Sequence, residues 1–208
     1  YNITNTLTGD ADVTITKTWG TVNGLVNEHF DNISIKITGT AGTETKDYNY
    51  TITKNNGVLT AAADQDTEQL GNGDYTATTD NGNWKITFKN LPVANDDGVK
   101  YTYTVAETKI GEKPVVDNAA NGYAISVDSV NPLHITNTPE TATLKIEKNW
   151  NGVENTDIPN GDVTFAIVGE VGTNGEKTTV INTSATVIAD GGWETSITLP
   201  KYWKGQEI

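Results

Sequence analysis

The feature that most constrains the fold of this chain is an internal repeat with the period of one small domain. Lys145–Trp150 repeats Thr14–Trp19 at an offset of 131 residues, and both strings place a lysine two residues before a tryptophan. A second string, His-Ile-Thr-Asn-Thr at 134–138, repeats Asn-Ile-Thr-Asn-Thr at 2–6 with an offset of 132 residues. Two unrelated strings that repeat in step indicate tandem domains, each with a lysine-bearing opening strand and an asparagine-bearing closing strand.

The repeat divides the 208 residues into three segments. We expect residues 1–8 to be the closing strand of a preceding repeat, residues 9–139 to be a complete domain, and residues 140–208 to be the N-terminal part of a further domain. The chain would then be a window cut from a longer protein. Pro139 and two polar residues after it form a very short link, which would restrict bending between neighbouring domains.

Composition and periodicity predict an all-β fold. Hydrophobic residues make up 35% of the chain, and 20 glycines separate short runs of alternating character. In the complete domain this alternation predicts strands at 12–19, 33–38, 47–53, 74–78, 83–88, 101–107, 123–127 and 133–138. So many short strands favour a sandwich of two sheets, because a single open sheet would leave a face uncovered; a closed barrel is the alternative.

Charge and composition exclude several classes of function. The net charge is −13 and the chain has no arginine, so a phosphate backbone would be repelled and we expect no nucleic-acid partner. The apolar runs are too short to cross a membrane, so we expect no membrane insertion in this segment. Without cysteine the chain has no disulfide, thiol nucleophile or zinc-thiolate site, although its acidic, loop-rich character is typical of extracellular proteins.

The last segment follows the order of the complete domain with one difference. Val163–Ile167 occupies the position in the last segment that Ile33–Ile37 occupies in the complete domain. The run from Trp193 to Pro200 likewise repeats the run from Trp84 to Pro92. The two tryptophans are 109 residues apart, which is 22 fewer than the 131-residue offset of the opening strands. The complete domain therefore carries extra sequence before its second tryptophan, and we expect this insertion at residues 41–73.

Four strings in this order resemble those of a known family. They are Lys17-Thr18-Trp19, the run from Trp84 to Pro92, Tyr103–Glu107 and Ile135–Thr138. Together they resemble the Cna-B domain, the B-type repeat of the collagen adhesin family, which occurs in Gram-positive surface adhesins and pilins. The resemblance covers nearly the whole chain and implies tandem immunoglobulin-like, transthyretin-like β-sandwich domains.

The resemblance also implies a spontaneous isopeptide bond between the first and last strands of a domain. Lys17 would supply the amine, Asn137 the acceptor amide, and Glu107 the acid that shuttles the proton. Lys148 matches the amine in the last segment, whose glutamate and asparagine would fall beyond Ile208, and Asn5 matches the acceptor of the preceding repeat. Such a reaction happens once per molecule, so we expect no enzyme activity, no cofactor and no metal.

Strand parity places the three polar residues of this set on apolar faces. The residues that share those faces are Val13, Ile15 and Trp19 with Lys17; Tyr101, Tyr103 and Val105 with Glu107; and Leu133 and Ile135 with Asn137. A solvated strand lysine, a strand-end glutamate and an edge asparagine are the simpler alternatives. An unpaired buried lysine would be costly, which favours a partner or a covalent fate.

Other candidate sites carry weaker signals. The acidic loops 64–68 and 95–98 contain calcium-type ligands, but solvated turns explain them equally well. His29 and His134 are too isolated to indicate a transition metal. If exposed, four aromatic residues could bind carbohydrate, although core or strand-pair positions are favoured for them: Tyr48, Tyr50, Tyr202 and Trp203. The chain lacks the Gly-x-Ser-x-Gly elbow of a hydrolase.

Two functions from different classes follow from these features. The first is a structural stalk module of a Gram-positive cell-surface adhesin or pilus, anchored in the cell wall and flanked by neighbouring repeats of the same protein. The alternative is a ligand-binding adhesin module that presents the insertion 41–73 to a host protein or glycan. A further hypothesis, less favoured than truncation, docks the strand with Asn5 into the last segment of a neighbouring molecule.

Overall fold

The computed structural model describes residues 6–25, 29–64, 74–154, 157–158, 160–173, 175–189 and 192–208. The elements bounded within these ranges are β-strands, which confirms the all-β prediction. The chain divides into two compact units: unit 1 comprises Tyr1–Gly20 and Phe30–Thr138, and unit 2 comprises Thr21–His29 and Pro139–Ile208. The three segments expected from the repeat stay a prediction.

Most strands of unit 1 lie where the alternation of apolar and polar residues predicted them. They are β1 Asp10–Trp19, β2 Asn32–Ala41, β3 Glu44–Asn55, β4 Val58–Ala63, β5 Tyr75–Asp80, β6 Asn83–Pro92, β7 Thr102–Ile110, β8 Lys113–Pro114, β9 Ala119–Ala120, β10 Tyr123–Val127 and β11 His134–Pro139. Each predicted strand overlaps one of these. The sequence did not predict β4, β8 or β9, of which the last two are only two residues long.

Unit 1 is a sandwich of two sheets, as predicted, and not a closed barrel. One sheet has the order β5-β6-β1-β11-β10-β9 and the other has the order β4-β3-β2-β7-β8. Large side chains of both sheets form one core, which includes Ile15, Phe88 and Ile135 from the first sheet and Ile35 and Ile52 from the second. The first and last strands, β1 and β11, are parallel neighbours in the six-stranded sheet.

Unit 2 contains counterparts of four strands of unit 1. In it, β12 Thr141–Glu147 pairs with β15 Glu194–Pro200, and β13 Val163–Val171 pairs with β14 Thr178–Val187. A short hairpin, β16 Tyr202–Trp203 and β17 Gln206–Glu207, follows them.

Strand pairing corrects the predicted position of the insertion in unit 1. Val163 pairs with Val187 in unit 2 as Ile33 pairs with Ile52 in unit 1, so β14 is the counterpart of β3. The extra sequence of unit 1 therefore follows β3 and includes β4 and β5, instead of beginning at residue 41. Offsets between matched strings fix how much sequence is extra but not where it lies between them.

The described part of the predicted insertion extends the sandwich. Residues 41–64 contribute β3 and β4 to the five-stranded sheet, while 65–73 lie outside the described residues. Tyr48 and Tyr50 on β3 are buried in the core and not exposed to a ligand.

Candidate functional site

Three strands bring Lys17, Glu107 and Asn137 together in the core of unit 1. Lys17 lies on β1, Asn137 on the adjacent β11, and Glu107 on β7 of the facing sheet. Lys17 and Asn137 are 0% exposed and Glu107 is 5% exposed. The site therefore spans the two sheets and is closed to solvent.

The parallel register of β1 and β11 places the amine and the amide on one face. Lys17 is opposite Ile135, and Asn137 is opposite Trp19, so the polar residues are one inward-facing position apart. Since inward positions recur every second residue along a strand, both side chains point into the core.

A β-bulge on β7 follows the glutamate and keeps the next inward-facing residue, Ile110, on the same face. In the pairing of β7 with β2, Lys109 is opposite Ser34 whereas Glu107 is opposite Ile35, which leaves Thr108 as an extra residue. In a regular strand Glu107 and Ile110, which are three residues apart, would face opposite sides of the sheet, but the bulge takes up one residue between them. With it, both are buried.

The carboxylate of Glu107 lies between the two other polar groups. Its Oε2 is 3.4 Å from Lys17 Nζ, and its Oε1 accepts a hydrogen bond of 3.1 Å from Asn137 Nδ2. Lys17 Nζ also donates to the Thr18 carbonyl oxygen at 3.4 Å. Asn137 Oδ1 is buried without a hydrogen-bond partner among the described residues, which leaves the amide oxygen available to a donor.

Burial shifts the two ionisable groups toward their neutral forms. Desolvation lowers the pKa of Lys17 to about 8, and the charge of Glu107 and its hydrogen bond oppose this shift. Desolvation likewise raises the pKa of Glu107, against the charge of Lys17 and the hydrogen bonds from Asn137 and Lys17. A neutral amine beside a protonated carboxyl is therefore an accessible state of this site.

Aromatic side chains form one wall of the site. Lys17 Nζ lies 4.2 Å from the centroid of the Trp19 ring. That ring meets Trp84 and Tyr123 edge to face, with centroids 5.7 Å and 5.3 Å away. The sequence placed Trp19 on the face of Lys17, but did not single out Trp84 or Tyr123 as neighbours of the site. The alternation of Trp84 with Ile86 and Phe88, all inward-facing, was the signal available.

The remaining predicted crosslink residues lie elsewhere. Lys148 follows the end of β12 in unit 2, is half-buried, and donates from Nζ to the Asn149 carbonyl oxygen at 3.0 Å. Asn5 lies outside the described residues.

The other candidate sites resolve into local contacts. In the acidic loop 95–98, Asn95 Oδ1 accepts a hydrogen bond of 2.8 Å from the Val99 amide, so the loop closes on itself. His134 Nε2 lies 2.9 Å from Thr18 Oγ1. Tyr202 and Trp203 are half-buried on the short hairpin of unit 2. Within the described ranges, no group of three or more histidine, cysteine, aspartate or glutamate residues is placed to hold a metal ion.

Comparison with known proteins gives one family. The family described as Cna protein B-type domain matches residues 58–138, a range that includes Glu107 and Asn137. No curated protein matches the chain. Among the described residues, no helix is long and apolar enough to span a membrane.

Proposed function

Since the chain carries a Cna protein B-type domain, we propose that it is a structural stalk module of a Gram-positive surface adhesin or pilus, with an isopeptide bond between Lys17 and Asn137. Domains of this family occur in Gram-positive surface proteins, which indicates an extracellular location; attachment to the cell wall is part of the proposal. The observation that supports the bond most strongly is the buried meeting of an amine, an amide and a carboxyl group from three strands.

The proposed reaction uses only these three side chains. The neutral Lys17 amine attacks Asn137 Cγ, the new Nζ–Cγ bond replaces the Cγ–Nδ2 bond, and Nδ2 leaves as ammonia. Once the amide turns its oxygen toward Glu107, the protonated carboxyl donates to Oδ1 as the carbonyl is attacked, and the carboxylate then relays the amine proton to the leaving Nδ2. Folding holds the amine and the amide against the same carboxyl group, and well-oriented intramolecular pairs reach effective molarities of roughly 10⁵ M or more.

The bond suits a module that carries load. It joins β1 and β11, the parallel neighbours at the start and end of unit 1. Pulling on the two ends would otherwise shear these strands apart. The chain has no cysteine, so an amide supplies a covalent link that does not depend on redox conditions. The reaction has no turnover and takes no cofactor. The partners of the module in this proposal are the neighbouring repeats of the same protein.

The intact mass of the folded chain tests this proposal. We expect the parent to be lighter than its sequence mass by one ammonia. Lys17→Ala, Asn137→Ala and Glu107→Gln should each have their full sequence mass, because each removes the nucleophile, the electrophile or the proton relay.

Lys36→Ala is the matched control, because Lys36 is a strand lysine that is about two-fifths exposed and pairs with Asp47 at the surface. We expect this variant to lose one ammonia like the parent. A parent at full sequence mass would refute the bond.

A further inference from the structure

The amine of the proposed bond rests on an aromatic ring, and this contact recurs in unit 2. Lys17 Nζ lies 4.2 Å from the centroid of the Trp19 ring, and Lys148 Nζ lies 4.2 Å from the centroid of the Trp150 ring. In each pair the tryptophan stands two residues after the lysine, so on extended backbone both side chains leave on one face.

The two rings are held in the same way. Trp19 meets Trp84 edge to face with centroids 5.7 Å apart, and Trp150 meets Trp193 edge to face at 5.3 Å. Edge-to-face packing of this kind favours one orientation of a ring. Each lysine therefore meets a ring face whose orientation a second tryptophan helps to fix.

The contact between amine and ring does not depend on a carboxylate. Lys17 has Glu107 at 3.4 Å, but Lys148 makes no ion pair within the part of the chain that the structure describes. The attraction of the ammonium group to the indole face, together with a hydrogen bond from each amine to the carbonyl of the next residue, holds the lysine side chain in this geometry. The tryptophan can thus place the amine before an acid or an amide reaches it.

We propose that Trp19 is a positioning residue for isopeptide formation, whose ring holds the Lys17 amine where Glu107 and Asn137 meet it. This assignment rests on the proposed function. Trp19 takes no proton and forms no bond: Nζ of Lys17 bonds to Cγ of Asn137, and Nδ2 leaves as ammonia with the amine proton. The ring acts through the position of the nucleophile alone.

The rate of bond formation in the full chain tests this assignment. The chain is made by cell-free translation, quenched in acid at successive times, and weighed intact. We expect Trp19→Leu to slow the loss of ammonia by roughly tenfold or more, and Trp19→Phe, which keeps a ring face, to stay within about threefold of the parent. Trp150→Leu is the matched control and should react at the parent rate.

The pH dependence of that rate separates positioning from a loss of structure. An indole face favours the ammonium form, so its removal should move the rise in rate to lower pH by about half to one unit. Among the described residues, the titratable groups around the amine are Glu107 and, behind the ring, Tyr123, and the variants leave both in place. If Trp19→Leu does not fold, the parent chain is translated with fluorinated tryptophan, which weakens the attraction of the ring face for the ammonium group and keeps the shape of the ring. The rise in rate should then move to lower pH in the same way.

For Trp19→Leu, two results would overturn the assignment: bond formation at the parent rate, or a slow rate whose pH profile is unshifted or moved upward. With fluorinated tryptophan, an unshifted profile would overturn it. A parent chain at full sequence mass would instead overturn the proposed function on which the assignment rests.

Discussion

At the scale of the residue, burial changes Lys17 from an inert cation into a usable nucleophile. With its pKa lowered to about 8, about a tenth of the amine is neutral at pH 7, whereas an ordinary lysine is almost wholly protonated. The raised pKa of Glu107 keeps a proton close to the amide that must receive it. The same burial that makes this pair costly in an unreacted fold therefore favours the reaction that removes both charges.

The lowered pKa of Lys17 predicts how stability depends on pH when no bond can form. In Asn137→Ala the amine stays free, with a folded pKa of about 8 against 10.5 in the unfolded chain. Between these values the unfolded chain binds more protons, so the free energy of unfolding rises with pH. From pH 8 to 9.5 we expect a rise of about 1–2 kcal/mol in urea unfolding, relative to the same variant that also carries Lys17→Met.

The double variant lacks the amine but keeps the other ionisable side chains of unit 1. Identical pH profiles for the single and double variants would mean that Lys17 is not buried as a free amine.

Strand parity was enough to predict which polar residues point inward, but not what they touch. Lys17, Glu107 and Asn137 all lie on the buried faces that a period of two assigns to them. The contact of the amine with Trp19 depends on a ring orientation set by side chains on β6 and β10, which no local pattern encodes. The bulge at Thr108 was invisible for a similar reason, since it follows from pairing with β2.

At the scale of the element, β4 shows where alternation fails as a signal. Its sequence, Val-Leu-Thr-Ala-Ala-Ala, contains one large buried side chain, Leu59, and small residues that alternate only weakly. The strand forms because its backbone pairs with β3 and Leu59 enters the core, which are both tertiary effects. From the sequence alone, a strand with this weak alternation is predicted to be part of a loop.

Leu59 and Val58 offer a matched pair for testing β4. Leu59 is 6% exposed and belongs to the core, whereas its neighbour Val58 is 64% exposed. We expect Leu59→Ala to lower the free energy of unfolding by about 2–4 kcal/mol, because it leaves a cavity, and Val58→Ala to change it by less than about 0.5 kcal/mol. Denaturant unfolding of both variants measures the difference.

Both variants should still lose one ammonia, because β4 is at the edge of its sheet and carries none of the three reacting groups. Equal effects of the two substitutions would contradict the placement of β4 in the core.

At the scale of the whole molecule, the proposed bond turns most of unit 1 into one closed loop. Joining Lys17 to Asn137 ties together the two parallel strands between which the rest of the sandwich folds. By the chain-entropy argument used for disulfides, a loop of this length stabilises the folded state by about 5 kcal/mol. A stalk made of such units would resist unfolding by force more than one held by strand pairing alone.

The most direct test of this account is to locate the crosslink by tandem mass spectrometry of the digested parent chain. The account predicts one branched peptide in which the segment containing Lys17 is joined through its side chain to the segment containing Asn137. In Glu107→Gln the two segments should be found only as separate linear peptides. Separate linear peptides from the parent, with Lys17 open to cleavage and Asn137 unmodified, would contradict the account.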